Sequence, residues 1–156
     1  MIEIPNQNLI GFQYSAESAH SFQTFNPITQ KATPWTFKCA TVEEASLATR
    51  KAAYAFEPFQ ALKLKERAAF LRAIAIEILA LGDFLIDTYC TETGLPAARA
   101  MGERGRTIGQ LEGFATALEN GQFLDPVIDH EDLERSPIAK VDIRKINYPL
   151  GPIVVF

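Results

Sequence analysis

Through the middle of the chain the apolar positions recur at steps of three and four, the period of helices that each bury one stripe. From Thr41 onward, Ala45, Ala48, Ala52, Ala55, Phe56 and Phe59 fall on one face, and Pro58 marks the expected end. The opening Thr41-Val42-Glu43-Glu44 is a capping box: the Thr41 hydroxyl can accept from the Glu44 N–H while the Glu44 carboxylate reaches back to the Thr41 N–H. A second helix from Lys63 turns Ala68, Leu71, Ile74, Ala75 and Ile78 inward. Gly82-Asp83 interrupts it, and a third helical segment with Leu85, Ile86 and Tyr89 closes at Gly94-Leu95-Pro96, a glycine cap followed by a stop proline.

The helix expected over 97–120 carries the most information. Ala97, Met101, Arg104, Ile108, Leu111, Ala115 and Leu118 make one stripe, and one of its members is an arginine. Beside it runs a ridge of small residues: Ala98, Gly102, Gly105, Gly109, Gly113 and Thr116. Each interior glycine costs about 0.8 to 1 kcal/mol against alanine, so helix stability does not explain four of them. Close approach by a backbone or a ligand does.

Both ends of the chain read as extended. Three short pieces are expected at 9–14, 22–25 and 35–39, and the turn residues of Asn26-Pro27-Ile28-Thr29-Gln30-Lys31 join the last two into a hairpin. Residues 121–136 read as an acidic connecting loop. In the strand over 140–148, Val141 and Ile143 are out of phase with Ile146 and Tyr148, which predicts a bulge or twist near Arg144-Lys145. The Pro149-Leu150-Gly151-Pro152 bend leads into Ile153-Val154-Val155-Phe156, an unbroken apolar run of the kind covered on both faces of a parallel sheet. Such a strand needs neighbours joined by crossovers of a dozen or more residues, so these 156 residues are expected to be the front part of something larger.

Composition narrows the partners. The chain is 47% hydrophobic and 22% charged, ordinary for a globular domain, with a net charge of -4 that argues against broad binding to nucleic acid or an anionic membrane. No apolar run approaches membrane-spanning length and no basic leader opens the chain, so a reducing, cytoplasmic setting is the default. Cys39 and Cys90 form neither a disulfide framework nor a metal set, and His20 and His130 stand alone in loop-like surroundings. The glycines of Gly102-Glu103-Arg104-Gly105-Arg106 lie inside a helix, where they cannot form a phosphate-binding turn. Arg104 has three readings: an internal pair with an acid such as Glu103, Asp83 or Glu92, a subunit contact, or a cavity position shared with Arg106 and Gln110 that meets an anionic substrate end.

In order and wording, several segments resemble the amino-terminal part of the aldehyde dehydrogenase superfamily. They are Phe25-Asn26-Pro27, Thr41-Val42-Glu43-Glu44, Glu92-Thr93-Gly94-Leu95-Pro96 and Tyr148-Pro149-Leu150-Gly151-Pro152-Ile153. The run Gly102-Glu103-Arg104-Gly105-Arg106-Thr107 with Gln110-Leu111 resembles, more narrowly, the branch containing alpha-ketoglutaric semialdehyde dehydrogenases. The resemblance implies an α/β parent fold, of which this chain would be a mainly helical part with a leading hairpin and trailing strands. It also implies oxidation of an aldehyde, an acidic semialdehyde in that branch, to a carboxylic acid with NAD or NADP.

Carried onto this chain, the resemblance divides it into hairpin and helices of the cofactor-binding domain at 1–136, a strand of an oligomerisation sheet at 137–148, and entry to the first nucleotide-domain strand at 149–156. It puts Phe156 beside the cofactor and the middle of the 97–120 helix, with Arg104, Arg106 and Gln110, along the substrate tunnel. Neither cysteine matches the family's nucleophile, so no catalytic residue and no metal ligand is assigned, and the chain alone is expected to be inactive and to bind no cofactor. The competing reading is a non-catalytic helical assembly module that docks a partner on the glycine ridge and the 140–148 strand.

Overall fold

The computed structural model describes residues 4–155, and it follows the helical reading closely. Two hairpins lead, β1 (Asn8–Ile10) with β2 (Gln13–Ser15) and β3 (Ser21–Asn26) with β4 (Lys31–Lys38). Four helices follow: α1 (Val42–Gln60), α2 (Leu64–Ala80), α3 (Gly82–Thr93) and α4 (Ala97–Asn120). A short antiparallel pair, β5 (Val127–Asp129) and β6 (Ile143–Lys145), comes last.

The caps form as the residues dictate. Thr41 Oγ1 accepts from the Glu44 amide at 3.1 Å and Glu44 Oε2 accepts from the Thr41 amide at 2.8 Å. Gly94 and Gly121 cap α3 and α4 in the left-handed region, with φ of 70° and 66°. Gly94 has a second constraint, because a Cβ there would lie 2.9 Å from Pro27 Cγ. The β3–β4 turn thus packs on the end of α3, bringing together two segments, Phe25-Asn26-Pro27 and Glu92-Thr93-Gly94-Leu95-Pro96, that lie far apart in the chain.

The centre is the packing of α2 against α4. Its buried residues are small: Ala68 and Ala115 are fully buried and Ala75 nearly so. Ala100 on α4 and Ile86 on α3 extend the same layer. Alanines permit a short interaxial distance but bury little area each. Arg72 of α2 fastens the pair, donating from both terminal nitrogens to Glu119 at 2.7 and 2.8 Å and from Nε to Glu112 at 3.1 Å.

Several expectations are corrected. Pro58 does not end α1, which continues through Gln60: so close to the terminus the proline forfeits one hydrogen bond, to the Tyr54 carbonyl. The 9–14 piece is a hairpin, not one strand, because Gly11 takes a φ of 67° at its turn. The 121–136 segment is more than a loop, since it contains a 3-10 turn at Gln122–Leu124 and strand β5. No bulge occurs at Arg144-Lys145: the register with β5 is continuous and β6 simply ends at Lys145. Ile153, Val154 and Val155 belong to no strand and are largely exposed, and among the described residues no strand pairs with them. Phe156 lies outside the described residues.

The expected inward face of α1 is uncovered as well. Ala45, Ala48, Ala52, Ala55 and Phe59 are exposed and Phe56 is half-buried. The chain's accessible surface of 12087 Å² is well above the roughly 7,800 Å² that size scaling gives a compact monomer of 17.3 kDa. Among the described residues no large side chain is fully buried.

Two substitutions probe this packing by urea denaturation. Ala115→Leu overfills the α2–α4 seam and is expected to cost about 1 to 3 kcal/mol. Gly94→Ala forces a side chain into the left-handed region against Pro27 and is expected to cost about 1 to 2 kcal/mol or more.

Candidate functional site

The candidate site is built on α4, and the helix separates its three candidate residues. At about 100° per residue, Arg106 and Gln110 lie roughly 200° and 240° around the axis from Arg104. Arg104 shares the inward stripe of Ala100 and Ala115, whereas Arg106 and Gln110 are exposed beside the glycine ridge. These residues therefore do not line one wall together.

Arg104 is half-buried, and its Nη1 donates to the Gly82 carbonyl at 3.1 Å. Gly82 sits at the break between α2 and α3 with a φ of 57°, and its neighbour Leu81 caps one helix and precedes the other. Arg104 thus satisfies a carbonyl left open by the break. Among the described residues no carboxylate lies within 4.0 Å of Arg104, which overturns the expected pair with Glu103, Asp83 or Glu92. The side chain borders a cavity of about 310 Å³ with Ile78, Leu85, Ile86 and Tyr89.

On the other side, Glu103 binds Arg99 at 2.5 Å and lies 3.8 Å from Arg106. Arg99 takes the closer contact, so the exposed Arg106 guanidinium keeps most of its donors free. A Cβ placed on Gly102, Gly105, Gly109 or Gly113 would meet nothing within 4 Å. The expected close approach over this ridge is therefore not made by the described residues of this chain, and the helix presents a bare backbone strip edged by Met101, Arg106 and Gln110.

Electrostatics is concentrated elsewhere. Arg72 hydrogen-bonds Glu119 and holds its carboxyl below the usual range, and Arg72 is itself shifted up by the same bonds. This fork escaped the sequence reading, as did the burial of the capping-box residue Glu44. The available signal was the seven-residue spacing of Glu112 and Glu119, two turns apart on one face of α4, opposite an arginine flanked by the apolar stripe of α2. Cys39 and Cys90 are free and half-buried, His130 is exposed, and among the described residues no three potential ligands cluster for a metal.

The profile of the aldehyde dehydrogenase family matches residues 14–156. The chain belongs to the aldehyde dehydrogenase family. It is 42% identical over 158 residues to alpha-ketoglutaric semialdehyde dehydrogenase 2 of Azospirillum brasilense, with 99% of this chain and 30% of that protein covered. Among solved structures it is similar to succinate-semialdehyde dehydrogenase from Burkholderia pseudomallei, with a TM-score of 0.68, 29% identity, and 85% of this chain and 26% of that one covered. It also shares the fold of a NAD-dependent benzaldehyde dehydrogenase from Corynebacterium glutamicum, with a TM-score of 0.73, 18% identity, and 83% and 28% covered. The chain thus spans about 30% of the length of the curated relatives it matches. Its helices and hairpins are those of an aldehyde dehydrogenase segment, as the resemblance implied.

The division of the arginines is testable by stability alone. Arg104→Ala leaves the Gly82 carbonyl without its donor and is expected to cost about 1 to 2 kcal/mol in urea unfolding. Arg106→Ala is expected to stay within about 0.5 kcal/mol of the parent.

Proposed function

We propose that this chain forms the cofactor-domain portion of an enzyme that oxidises an acidic semialdehyde, such as alpha-ketoglutaric semialdehyde, to the carboxylic acid with NAD or NADP as acceptor. Family membership supports the reaction class, and the 42% identity to a protein named for that substrate supports the narrower reading. The outward face of α4 borders the substrate path in this reading. The observation that carries it is the bare glycine strip with Arg106 and Gln110 at its edge, open to whatever packs there. Arg106 receives the carboxylate end of the substrate as a charge-assisted bidentate pair, and Gln110, one turn on, adds a neutral donor. Arg104 braces the helix from behind.

As the resemblance implies, Phe156 belongs in this reading to the nicotinamide side of the cofactor site. The described residues do not themselves make a dinucleotide cradle: the glycines of α4 lie within a helix, and Ile153, Val154 and Val155 stand outside any sheet. In this reading the isolated chain is inactive. Segment 137–148 contributes an edge strand to a contact between subunits, through the exposed Ile138, Val141, Ile143 and Ile146. The setting is cytoplasmic. Among the described residues no helix is long and apolar enough to cross a membrane.

Steady-state kinetics of the intact enzyme tests this. Arg106→Ala is expected to raise KM for the acidic semialdehyde about 10-fold or more, the loss of a charged hydrogen bond, while a neutral aldehyde of similar length changes less than about 2-fold. Equal effects on the two substrates overturn recognition by Arg106. An intact enzyme that oxidises neither aldehyde overturns the function itself.

A further inference from the structure

We propose that residues 6–18 form a strap across the outer edge of the β3–β4 hairpin, and that one carboxylate, Glu44, fastens this strap and the start of α1 together so that both loosen as a unit in acid. The geometry is a division of labour between two oxygens. Glu44 Oε2 accepts from the Thr41 amide and completes the helix cap. Glu44 Oε1 accepts from the Ser15 hydroxyl and, at 3.4 Å, from the Glu17 amide, both on the strap. The side chain is almost wholly buried, with 2% of its surface exposed, although it lies in the first turn of a helix whose other faces are open. A carboxylate in that position is unfavourable unless every lone pair is used, and here the strap supplies the missing donors.

The strap has a structural task. The Asn6 carbonyl accepts from the Lys38 amide at 3.0 Å, and Asn8 Nδ2 donates to the Cys39 carbonyl at 3.4 Å. The first of these bonds takes the outward amide at the last residue of β4, on the side that β3 does not pair, where a bare edge would template pairing with another chain. A second fastening closes the far end of the strap. Lys51 Nζ donates to the Ile10 carbonyl at 3.1 Å beneath the Gly11 turn, and Ile10 is buried.

The charged and titratable groups around Glu44 are few. From the strap come Ser15, Asn8 and the Glu17 amide. The Glu17 and Glu43 carboxylates are exposed, Lys38 Nζ binds the Ser18 carbonyl, Lys51 serves Ile10, and His20 contributes its amide to Ser18 Oγ. The hydrogen bond from Ser15, followed by that from Thr41, holds the Glu44 carboxyl below the usual range. A carboxyl lowered by folding adds stability that is complete above its unfolded value of roughly 4.3 and is lost as pH falls through the lower folded value. The strap is therefore secure at neutral pH and released in acid.

Amide hydrogen exchange of the full chain tests the coupling, corrected at each pH for the intrinsic exchange rate. Glu44→Gln at neutral pH is expected to speed exchange at the Lys38, Glu17 and Thr41 amides about 10-fold or more. Ser15→Ala speeds Lys38 and Glu17 but spares Thr41 and Glu44, whereas Thr41→Ala speeds Glu44 and spares Lys38. The unsubstituted chain reproduces the Glu44→Gln pattern on the acid side only. Unchanged Lys38 exchange in Glu44→Gln overturns the proposal, as does protection that fades near neutral pH. A Lys38 amide already unprotected in the unsubstituted chain at neutral pH overturns it too.

Discussion

The seam between α2 and α4 is the constraint on which the rest depends. Its buried positions are alanines, so the two helices approach closely with little area buried per residue, and packing alone gives a shallow well. Arg72 adds direction. Its planar fork meets Glu119 with two parallel bonds and Glu112 with a third, which fixes the rotation of α4 about its own axis as well as its position. That rotation then decides which residues of α4 look inward. Ala100, Arg104 and Ala115 do, and the glycine ridge with Arg106 and Gln110 is turned out.

A second consequence concerns apolar surface. The α1 stripe, the glycine side of α4 and residues 153–155 are all left open by the described residues. A helix face patterned at 3.6 residues or an unbroken Ile-Val-Val run is a commitment to a neighbour, and this segment honours only some of those commitments internally. The aldehyde dehydrogenase relatives are more than three times as long as the part matched here, and these are the faces that the described residues leave uncovered. The accessible surface measures the same fact from the outside.

The arginines of α4 show how one residue type takes different work from its angular position. Arg104 is half-buried and must find an acceptor, and the α2–α3 break leaves one at Gly82. Arg106 is solvated and shares Glu103 only at the long end of an ion pair, so its charge is still available. Two residues of separation make the difference between a brace and an exposed, available charge. Glu44 repeats the theme on the acidic side: one oxygen caps a helix and the other holds a strap.

Local chemistry was legible without coordinates. The Thr41–Glu44 capping box, the glycine cap at Gly94 and the limits of α4 follow from residues within a turn of one another, whose hydrogen bonds form whatever lies around them. The family, too, was readable from short ordered segments. What the sequence could not settle was which apolar faces find a neighbour, because periodicity states that a face is apolar and not whether anything covers it. It equally could not show that Gly11 turns a hairpin, that 127–129 pairs with 143–145, or that Arg104 bonds a carbonyl and not an acid. Each of those rests on atoms brought together across tens of residues, and only the tertiary arrangement supplies the partner.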